Sequence, residues 1–156
     1  MEIILIAAIG KNNELGLGNN LIWHLPKDLN FFYNHTVGKT IVMGKNTFFS
    51  LPKMLPKRQH IVLTNTDEIY PNDVIIAHTT KEVLDRQEDE LIIIGGAYTY
   101  QEFIPYATKM YLTQIEASSK ADVYFPKFDK KDWKITILDE EIENNLKYQH
   151  VLYERK

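Results

Sequence analysis

The chain has 156 residues, enough for one compact domain, and its 44% hydrophobic and 25% charged residues are ordinary for a globular protein. A formal net charge of −3 gives no sign of a nucleic-acid-binding surface, and the lack of cysteine excludes disulfides, zinc–thiolate sites and thiol catalysis. The apolar N-terminal run is too short to span a bilayer and lacks the basic flank of a signal peptide, which predicts a cytoplasmic protein without membrane contacts.

Short β-branched apolar runs alternate with helical patterns over the first two thirds of the chain. The runs predict strands at 3–9, 40–43, 60–64, 74–77 and 91–94. The patterns between them predict helices at 26–36, 45–51, 80–85 and 97–104, the second and fourth stopped by Pro52 and Pro105. This alternation predicts an α/β fold with a mostly parallel sheet and helices on both faces.

The last third changes character, because little helical pattern separates its apolar runs. Segments 109–117, 132–138 and 147–155 predict antiparallel strands added at one edge of the sheet. No repeat, low-complexity segment or linker interrupts the chain. We therefore expect a single domain covering residues 1–156.

A Gly- and Asn-rich stretch, KNNELGLGNNL at 11–21, separates the first strand from the first helix. A loop of this length in a compact domain is more often functional than not, and its glycines favour a mobile backbone. Gly16 and Gly18 begin like a dinucleotide fingerprint, but Leu21 stands at the third glycine position and no helix follows directly. The Rossmann interpretation therefore fails here.

Two strand-to-helix junctions have the character of phosphate sites. Gly44 ends one strand before Lys45, Asn46 and Thr47 open a helix, and Gly95-Gly96 follow another strand. Helix N-termini offer unpaired N–H groups, and glycine lets an anion approach closely. One such junction can serve packing alone, but two in a small α/β domain favour a nucleotide ligand.

Asp28 is an acid in an otherwise apolar and aromatic stretch, LIWHLPKDLNFF. It either interacts with the N-terminal dipole of the helix that Pro26 begins, or it is held in an apolar cleft for function. No G-x-S-x-G elbow or P-loop is present. The histidines lack metal-ligand spacing, which predicts no metal site and favours surface or packing roles; they are His24, His35, His60, His78 and His150.

Seven blocks then follow one another at family-like spacing: LIAAIG (5–10), GNNLIWHLPKDLNFF (18–32), TIVMGKNTF (40–48), LPKRQHIVLT (55–64), IIIGGAYTYQEF (92–103), MYLTQIEA (110–117) and ADVYFP (121–126). On these blocks the chain resembles the bacterial-type dihydrofolate reductases over essentially its whole length. The resemblance implies their fold, NADPH-dependent reduction of 7,8-dihydrofolate to tetrahydrofolate in one-carbon metabolism, a role as an antifolate target that binds such inhibitors, and a monomer.

The resemblance also implies a substrate site. Asp28 would hold the pterin ring and be needed for protonation at N5, helped by Thr113 and buried among Ile6, Leu29 and Phe32. Trp23 would hold a water, and Arg58 would bind the glutamate carboxylate. Implied catalytic residues are Asp28, Trp23, Leu21, Tyr100 and Thr113. Implied substrate-binding residues are Ile6, Ala7, Asp28, Leu29, Phe32, Leu51, Leu55, Arg58, Ile94 and Thr113.

For NADPH the resemblance implies contacts along the loop, both glycine junctions and the strand ends between them. These residues are Ala8, Leu15, Gly16, Asn19, Asn20, Leu21, Gly44, Lys45, Asn46, Thr47, Leu63, Thr64, Asn65, His78, Gly95, Gly96, Ala97, Tyr98 and Thr99.

Three positions depart from the common family pattern. Ile22 replaces a usual proline, Lys45 a frequent arginine, and Tyr98 a residue that is basic in some members. The last two bear on how strongly the 2′-phosphate is held. Two alternative hypotheses for the function stay open. One is a related pyrimidine reductase of riboflavin synthesis, which shares the fold, and the other is a non-enzymatic module that senses NADPH.

Overall fold

The computed structural model describes residues 1–18 and 20–156. Its strands are β1 (Glu2–Ile9), β2 (Glu14–Leu17), β3 (Asn20–Leu21), β4 (Thr40–Gly44), β5 (Gln59–Leu63), β6 (Ile75–Ala77), β7 (Glu90–Gly95), β8 (Lys109–Ile115), β9 (Val123–Tyr124), β10 (Trp133–Glu143) and β11 (Leu146–Arg155). Its helices are α1 (Pro26–Thr36), α2 (Lys45–Ser50), α3 (Thr80–Leu84) and α4 (Ala97–Phe103), with 3₁₀ turns at Ile104–Tyr106 and Lys130–Asp132. Within the described residues no helix is both long and apolar enough to cross a membrane.

Eight strands form the main sheet in the order β10-β11-β8-β1-β7-β4-β5-β6. Six neighbouring strands of this sheet, β8, β1, β7, β4, β5 and β6, run parallel to one another. The predicted α/β fold is confirmed, and the predicted elements are found with ends that differ by at most two residues, except that the strand predicted at 132–138 continues to Glu143 as β10. The antiparallel edge consists of β11 and β10, whereas β8 itself runs parallel to β1.

Apolar side chains from alternate positions of β1 pack on opposite faces of the sheet. Leu5 lies in a cluster with Val83 of α3 and Phe103 of α4. Ile6 lies in a second cluster with Phe48 of α2, against which Phe32 of α1 packs. Because successive side chains of a strand point to opposite faces, the helices cover both faces, as predicted.

Residues 11–21 are not an irregular loop throughout, which corrects the prediction for this stretch. β2 pairs with β3 and with β9 in a separate three-stranded sheet. Buried Glu14 accepts the N–H groups of Asn12 at 2.7 Å and Ser119 at 2.8 Å. Desolvation raises the pKa of Glu14, but backbone N–H donors, first that of Ser119, bring it below its usual value. The pairing strand and Ser119 lie about a hundred residues away in sequence, so local sequence gave no signal for this sheet.

Candidate active site

Asp28 lies in the first turn of α1, but its carboxylate turns away from the helix. Its Oδ1 accepts the Thr113 hydroxyl of β8 at 2.6 Å and faces His150 Nε2 of β11 at 2.9 Å. The N-cap residue Leu25 makes no side-chain cap hydrogen bond, and the Lys27 N–H in the first turn donates to the Glu143 carboxylate rather than to Asp28. The side chain is 17% exposed at the wall of a cleft that Trp23 and Leu29 also line. The contacts favour an acid held for function over one that only caps a helix.

His150 is the main residue that sequence reasoning missed. It was expected to be one of the surface or packing histidines, but it pairs with Thr113 in the sheet and faces Asp139 Oδ1 through Nδ1 at 2.7 Å. Its ring stacks on Phe31 with centroids 3.9 Å apart. The available signal was a histidine within the apolar alternation of the last strand, which lies next to the strand that carries Thr113.

The cleft is open on the side of the β2–β3 sheet. Leu21 at the end of β3 is 72% exposed, and Leu29 is 48% exposed. Leu29 lines the cleft beside Asp28 although it is about half exposed, whereas Ile6 and Phe32 pack into the core cluster. Trp23 packs against the small cluster around Leu25 and Ile115.

An apolar wall extends from Asp28 toward Arg58. Phe32, Leu51, Leu55 and Ile94 are partly buried and pack against the same core cluster. The Arg58 guanidinium carbon lies 5.0 Å from the Tyr33 ring centroid, and Arg58 Nε is buried without a hydrogen-bond partner among the described residues. A donor of this kind is suited to a carboxylate ligand.

Buried His60 fixes the turn that carries Leu55 and Arg58. Its Nε2 accepts the Leu55 N–H at 3.1 Å, and its Nδ1 lies 3.1 Å from the Arg58 carbonyl. Desolvation lowers the pKa of His60, so the neutral ring with a proton on Nδ1 is the form that satisfies both contacts. For His60 the expected packing role agrees with its burial.

The two glycine junctions meet, because β4 and β7 are neighbours in the sheet. A Cβ atom on Gly44 would lie 2.9 Å from Thr99 Oγ1, and one on Gly96 would lie 3.3 Å from Thr47 Oγ1. Each junction therefore presents a bare backbone beside the hydroxyl of the other. Tyr100, behind them, donates to the Ile6 carbonyl at 2.6 Å, and burial raises its pKa.

A polar network lies at the far end of the glycine junctions. Lys45 Nζ contacts Glu68 Oε1 at 3.0 Å and Thr66 Oγ1 at 3.2 Å. Thr64 Oγ1 lies 3.0 Å from Thr66 Oγ1, and His78 Nδ1 lies 3.0 Å from the Thr64 carbonyl. Glu68 was not foreseen, since nothing in the local sequence distinguishes it from other exposed acids.

The remaining predicted site residues lie in three parts of the structure. Ala7, Ala8, Leu63 and Thr64 lie on or directly after β1 and β5, whereas Leu15, Gly16 and Asn20 belong to the small sheet. Asn46, Ala97 and Tyr98 lie in the first turns of α2 and α4, with Tyr98 69% exposed, and Asn65 is an exposed residue just past β5. Asn19 lies outside the described residues. In the described part of the chain, no group of three or more His, Asp or Glu side chains could hold a metal ion.

A family model described as dihydrofolate reductase matches residues 2–155. The chain belongs to the dihydrofolate reductase family. It is 35% identical over 159 residues to the dihydrofolate reductase of Bacillus subtilis, with 99% of this chain and 95% of the relative covered. It is 37% identical over 138 residues to that of Haemophilus influenzae, covering 86% and 85%.

Solved structures agree with this dihydrofolate reductase assignment. A dihydrofolate reductase from Enterococcus faecalis, complexed with NADP(H) and RAB-propyl, superposes with a TM-score of 0.90 at 29% identity, covering 99% of this chain and 96% of that one. The resemblance stated from the sequence is thereby confirmed, and with it the prediction of an NADP-dependent oxidoreductase of this family.

Proposed function

We propose that the chain reduces 7,8-dihydrofolate to 5,6,7,8-tetrahydrofolate, with NADPH as hydride donor, through the cleft at Asp28. The observation that carries this is the Asp28 carboxylate, 17% exposed at the cleft wall and fixed from behind by Thr113. A pterin ring presents a 2-amino group and an adjacent ring N–H, both donors, and an oriented carboxylate is their natural acceptor.

In this proposal Asp28 binds the pterin and is required for protonation at N5, while Thr113 orients it. Trp23 and Leu21 close the cleft and position water. Ile94 and Tyr100 would lie where the nicotinamide and pterin meet, with the Tyr100 hydroxyl fixed by its hydrogen bond to the Ile6 carbonyl at 2.6 Å. Bound NADPH would supply the hydride that reduces pterin C6, and alignment of the two rings together with exclusion of bulk water would account for much of the rate enhancement.

The rest of the substrate follows the apolar wall. Ile6, Ala7, Leu29, Phe32, Leu51 and Leu55 would contact the pterin and the aminobenzoyl ring. Arg58 would bind the glutamate carboxylate, a role supported by its buried and unpartnered Nε. The 2,4-diamino heterocycles of antifolate inhibitors offer similar donors, and we propose that they bind at Asp28 too.

The cofactor would lie across the two glycine junctions. A narrow polar groove at these junctions is suited to a pyrophosphate. It is formed by the backbone of Gly44, Gly95 and Gly96 and by the hydroxyls of Thr47 and Thr99. Lys45, Thr64 and Asn65 would face the 2′-phosphate, with His78 beside them. The nicotinamide would reach Ala8 and the small sheet, whose predicted contacts are Leu15, Gly16, Asn19, Asn20 and Leu21.

We further propose a single domain over residues 1–156, acting as a monomer in the cytoplasm. One main sheet takes strands from both ends of the chain, since β1 lies between β7 and β8, and β8 pairs with β11, which supports a single folding unit. Sedimentation of the purified protein tests the monomer.

NADPH absorbance, followed with purified protein and dihydrofolate, tests the proposed activity. The expected result is oxidation of NADPH that requires both protein and dihydrofolate and yields tetrahydrofolate. Turnover of a riboflavin-pathway pyrimidine instead would favour the related reductase, and NADPH binding without turnover of either would favour the sensor.

A further inference from the structure

Three side chains connect the substrate cleft to the protein surface. Asp28 is 17% exposed at the cleft, His150 is 4% exposed behind it, and Asp139 of β10 is 47% exposed at the far side. His150 Nε2 lies 2.9 Å from Asp28 Oδ1, and Nδ1 lies 2.7 Å from Asp139 Oδ1. We propose that His150 is a positioning residue whose imidazolium, held between two carboxylates, orients Asp28 and balances its charge. The proposal rests on the proposed function of Asp28.

With Asp28 and Asp139 ionised, the two ring contacts of His150 require this charge state. A neutral imidazole carries one N–H and one lone pair, whereas both nitrogens of His150 face oxygens of carboxylates, which accept when ionised. Only the imidazolium donates to both. Burial by itself lowers the pKa of His150, but the hydrogen bonds and charges of Asp28 and Asp139 outweigh it and hold the pKa above the ordinary value.

Aromatic packing keeps the ring in this orientation. Phe31 stacks on His150 with an interplanar angle of 7°, and Tyr148 packs edge-on with centroids 5.4 Å apart. A ring confined in this way cannot exchange its two partners without disturbing its neighbours. Other titratable groups lie around the Asp28–His150–Asp139 triad on the elements packed against it. They are His35 on α1, Tyr111 on β8, Glu141 and Glu143 on β10, and Tyr148 on β11.

The arrangement leaves one oxygen of Asp28 available. Oδ1 contacts both Thr113 and His150, whereas Oδ2 accepts no hydrogen bond within residues 1–18 and 20–156. The neighbouring imidazolium balances the negative charge of the carboxylate in an otherwise apolar cleft. His150 therefore acts on substrate binding through Asp28 and does not touch the substrate itself.

Ring ¹⁵N chemical shifts of the ligand-free protein, recorded from pH 5 to 9, test the charge state without any variant. We expect His150 to be an imidazolium at pH 7 and to lose its proton above the ordinary titration range of a histidine side chain. A neutral His150 ring at pH 7 would overturn the proposal, whatever the protein does to dihydrofolate.

Dihydrofolate affinity as a function of pH tests the effect on Asp28. His150→Phe keeps the aromatic stack but removes the charge, so the pH at which acid weakens dihydrofolate binding should rise by about one unit, and below that pH its Kd should be up to about 10-fold weaker than that of the wild type. His150→Gln keeps an N–H donor, so its Kd at pH 8 should approach that of the wild type while the acidic loss stays displaced. Asp139→Asn should lower the titration of His150 and displace the acidic loss less than His150→Phe.

Glu140→Gln is the matched control, because Glu140 is an exposed neighbour that contacts Gln149 rather than His150. Its profile should match that of the wild type. Superimposable profiles for the wild type and His150→Phe would contradict the inference alone, whereas failure of the wild type to bind dihydrofolate at pH 7 would contradict the proposed function.

Discussion

The two ends of the site are built differently. At the proposed pterin end, Asp28, Thr113 and His150 form short contacts between buried or nearly buried groups. At the proposed adenosine end, the Lys45 side chain is about one-third exposed and forms an ion pair with Glu68. Buried charge-assisted contacts are directional and weakly screened, whereas exposed ion pairs are worth little and weaken with salt. We therefore expect strong discrimination between pterin ligands and a weaker, salt-dependent discrimination between NADPH and NADH.

The largest effect should come from Asp28→Asn. The amide keeps the shape of the side chain but cannot ionise, so kcat at pH 7 should fall by about 100-fold or more, with partial recovery at acidic pH where the substrate is already protonated. Steady-state rates from pH 5 to 9 measure this. Asp85→Asn, at an exposed acid beyond α3, is the control, and near-normal turnover of Asp28→Asn at pH 7 would remove Asp28 from the mechanism.

Arg58→Leu should have the next largest effect. Loss of a charge-assisted contact costs roughly 1.5–3 kcal/mol, which corresponds to about 10- to 150-fold weaker dihydrofolate binding. NADPH binding should hardly change, and a pterin without the glutamate should bind equally well to both proteins. Lys53→Leu removes a nearby exposed cation as the control. If the truncated pterin loses affinity equally, Arg58 has a structural role.

The preference for NADPH over NADH tests the proposed adenosine end of the site. NADPH and NADH differ only in the 2′-phosphate, so we expect a kcat/KM ratio of roughly 5- to 150-fold that shrinks as salt is added. Lys45→Gln should remove most of this ratio by slowing NADPH use. Lys109→Gln, at the opposite end of the sheet, should leave it unchanged, and an unaltered ratio in Lys45→Gln would show that the 2′-phosphate lies elsewhere.

Glu68 should also affect the preference for NADPH over NADH. It contacts Lys45 and Thr66, and its hydrogen bonds to these two residues lower its pKa, so it is ionised at neutral pH and competes with a phosphate for the lysine. Glu68→Gln should therefore raise the NADPH-to-NADH ratio by about 2- to 5-fold. A ratio that falls in this variant would mean that Glu68 positions Lys45 for the cofactor instead.

The smallest effect should be on stability, at Glu14. Its folded-state pKa lies below the usual value, so its stabilising contribution is present above the unfolded pKa and is lost as the pH falls through the folded pKa. Glu14→Gln should cost about 1 kcal/mol at pH 7, a Tm lower by roughly 2–4 °C, with the difference disappearing in acid. An equal Tm difference at pH 7 and at pH 3 would exclude a charge effect.

Periodicity was sufficient for the fold because the strands of the main sheet carry their own patterns of buried residues. The run at 91–94 is apolar on both faces, as a central parallel strand requires, and the pattern at 26–36 repeats with a helical period. The strands β2 and β3 escaped prediction because they are only four and two residues long, and the small sheet forms only when β2 pairs with both β3 and the distant β9.

The site was predictable where one residue type carries the chemistry, and not where the chemistry depends on partners. Asp28 and the glycine junctions are unusual in their local sequence. His150 and Glu68 become meaningful only when β11 lies beside β8 and when the segment after β5 folds back on Lys45. Exposure of Leu29 likewise depends on where the cleft opens, which helical periodicity does not specify.

Transfer of deuterium from NADPH labelled at nicotinamide C4 tests the central claim most directly. The purified protein is incubated with dihydrofolate and the labelled cofactor, and the product is analysed by mass spectrometry and NMR. The account predicts tetrahydrofolate with one deuterium at C6. Oxidation of the cofactor without deuterium at that carbon would contradict it.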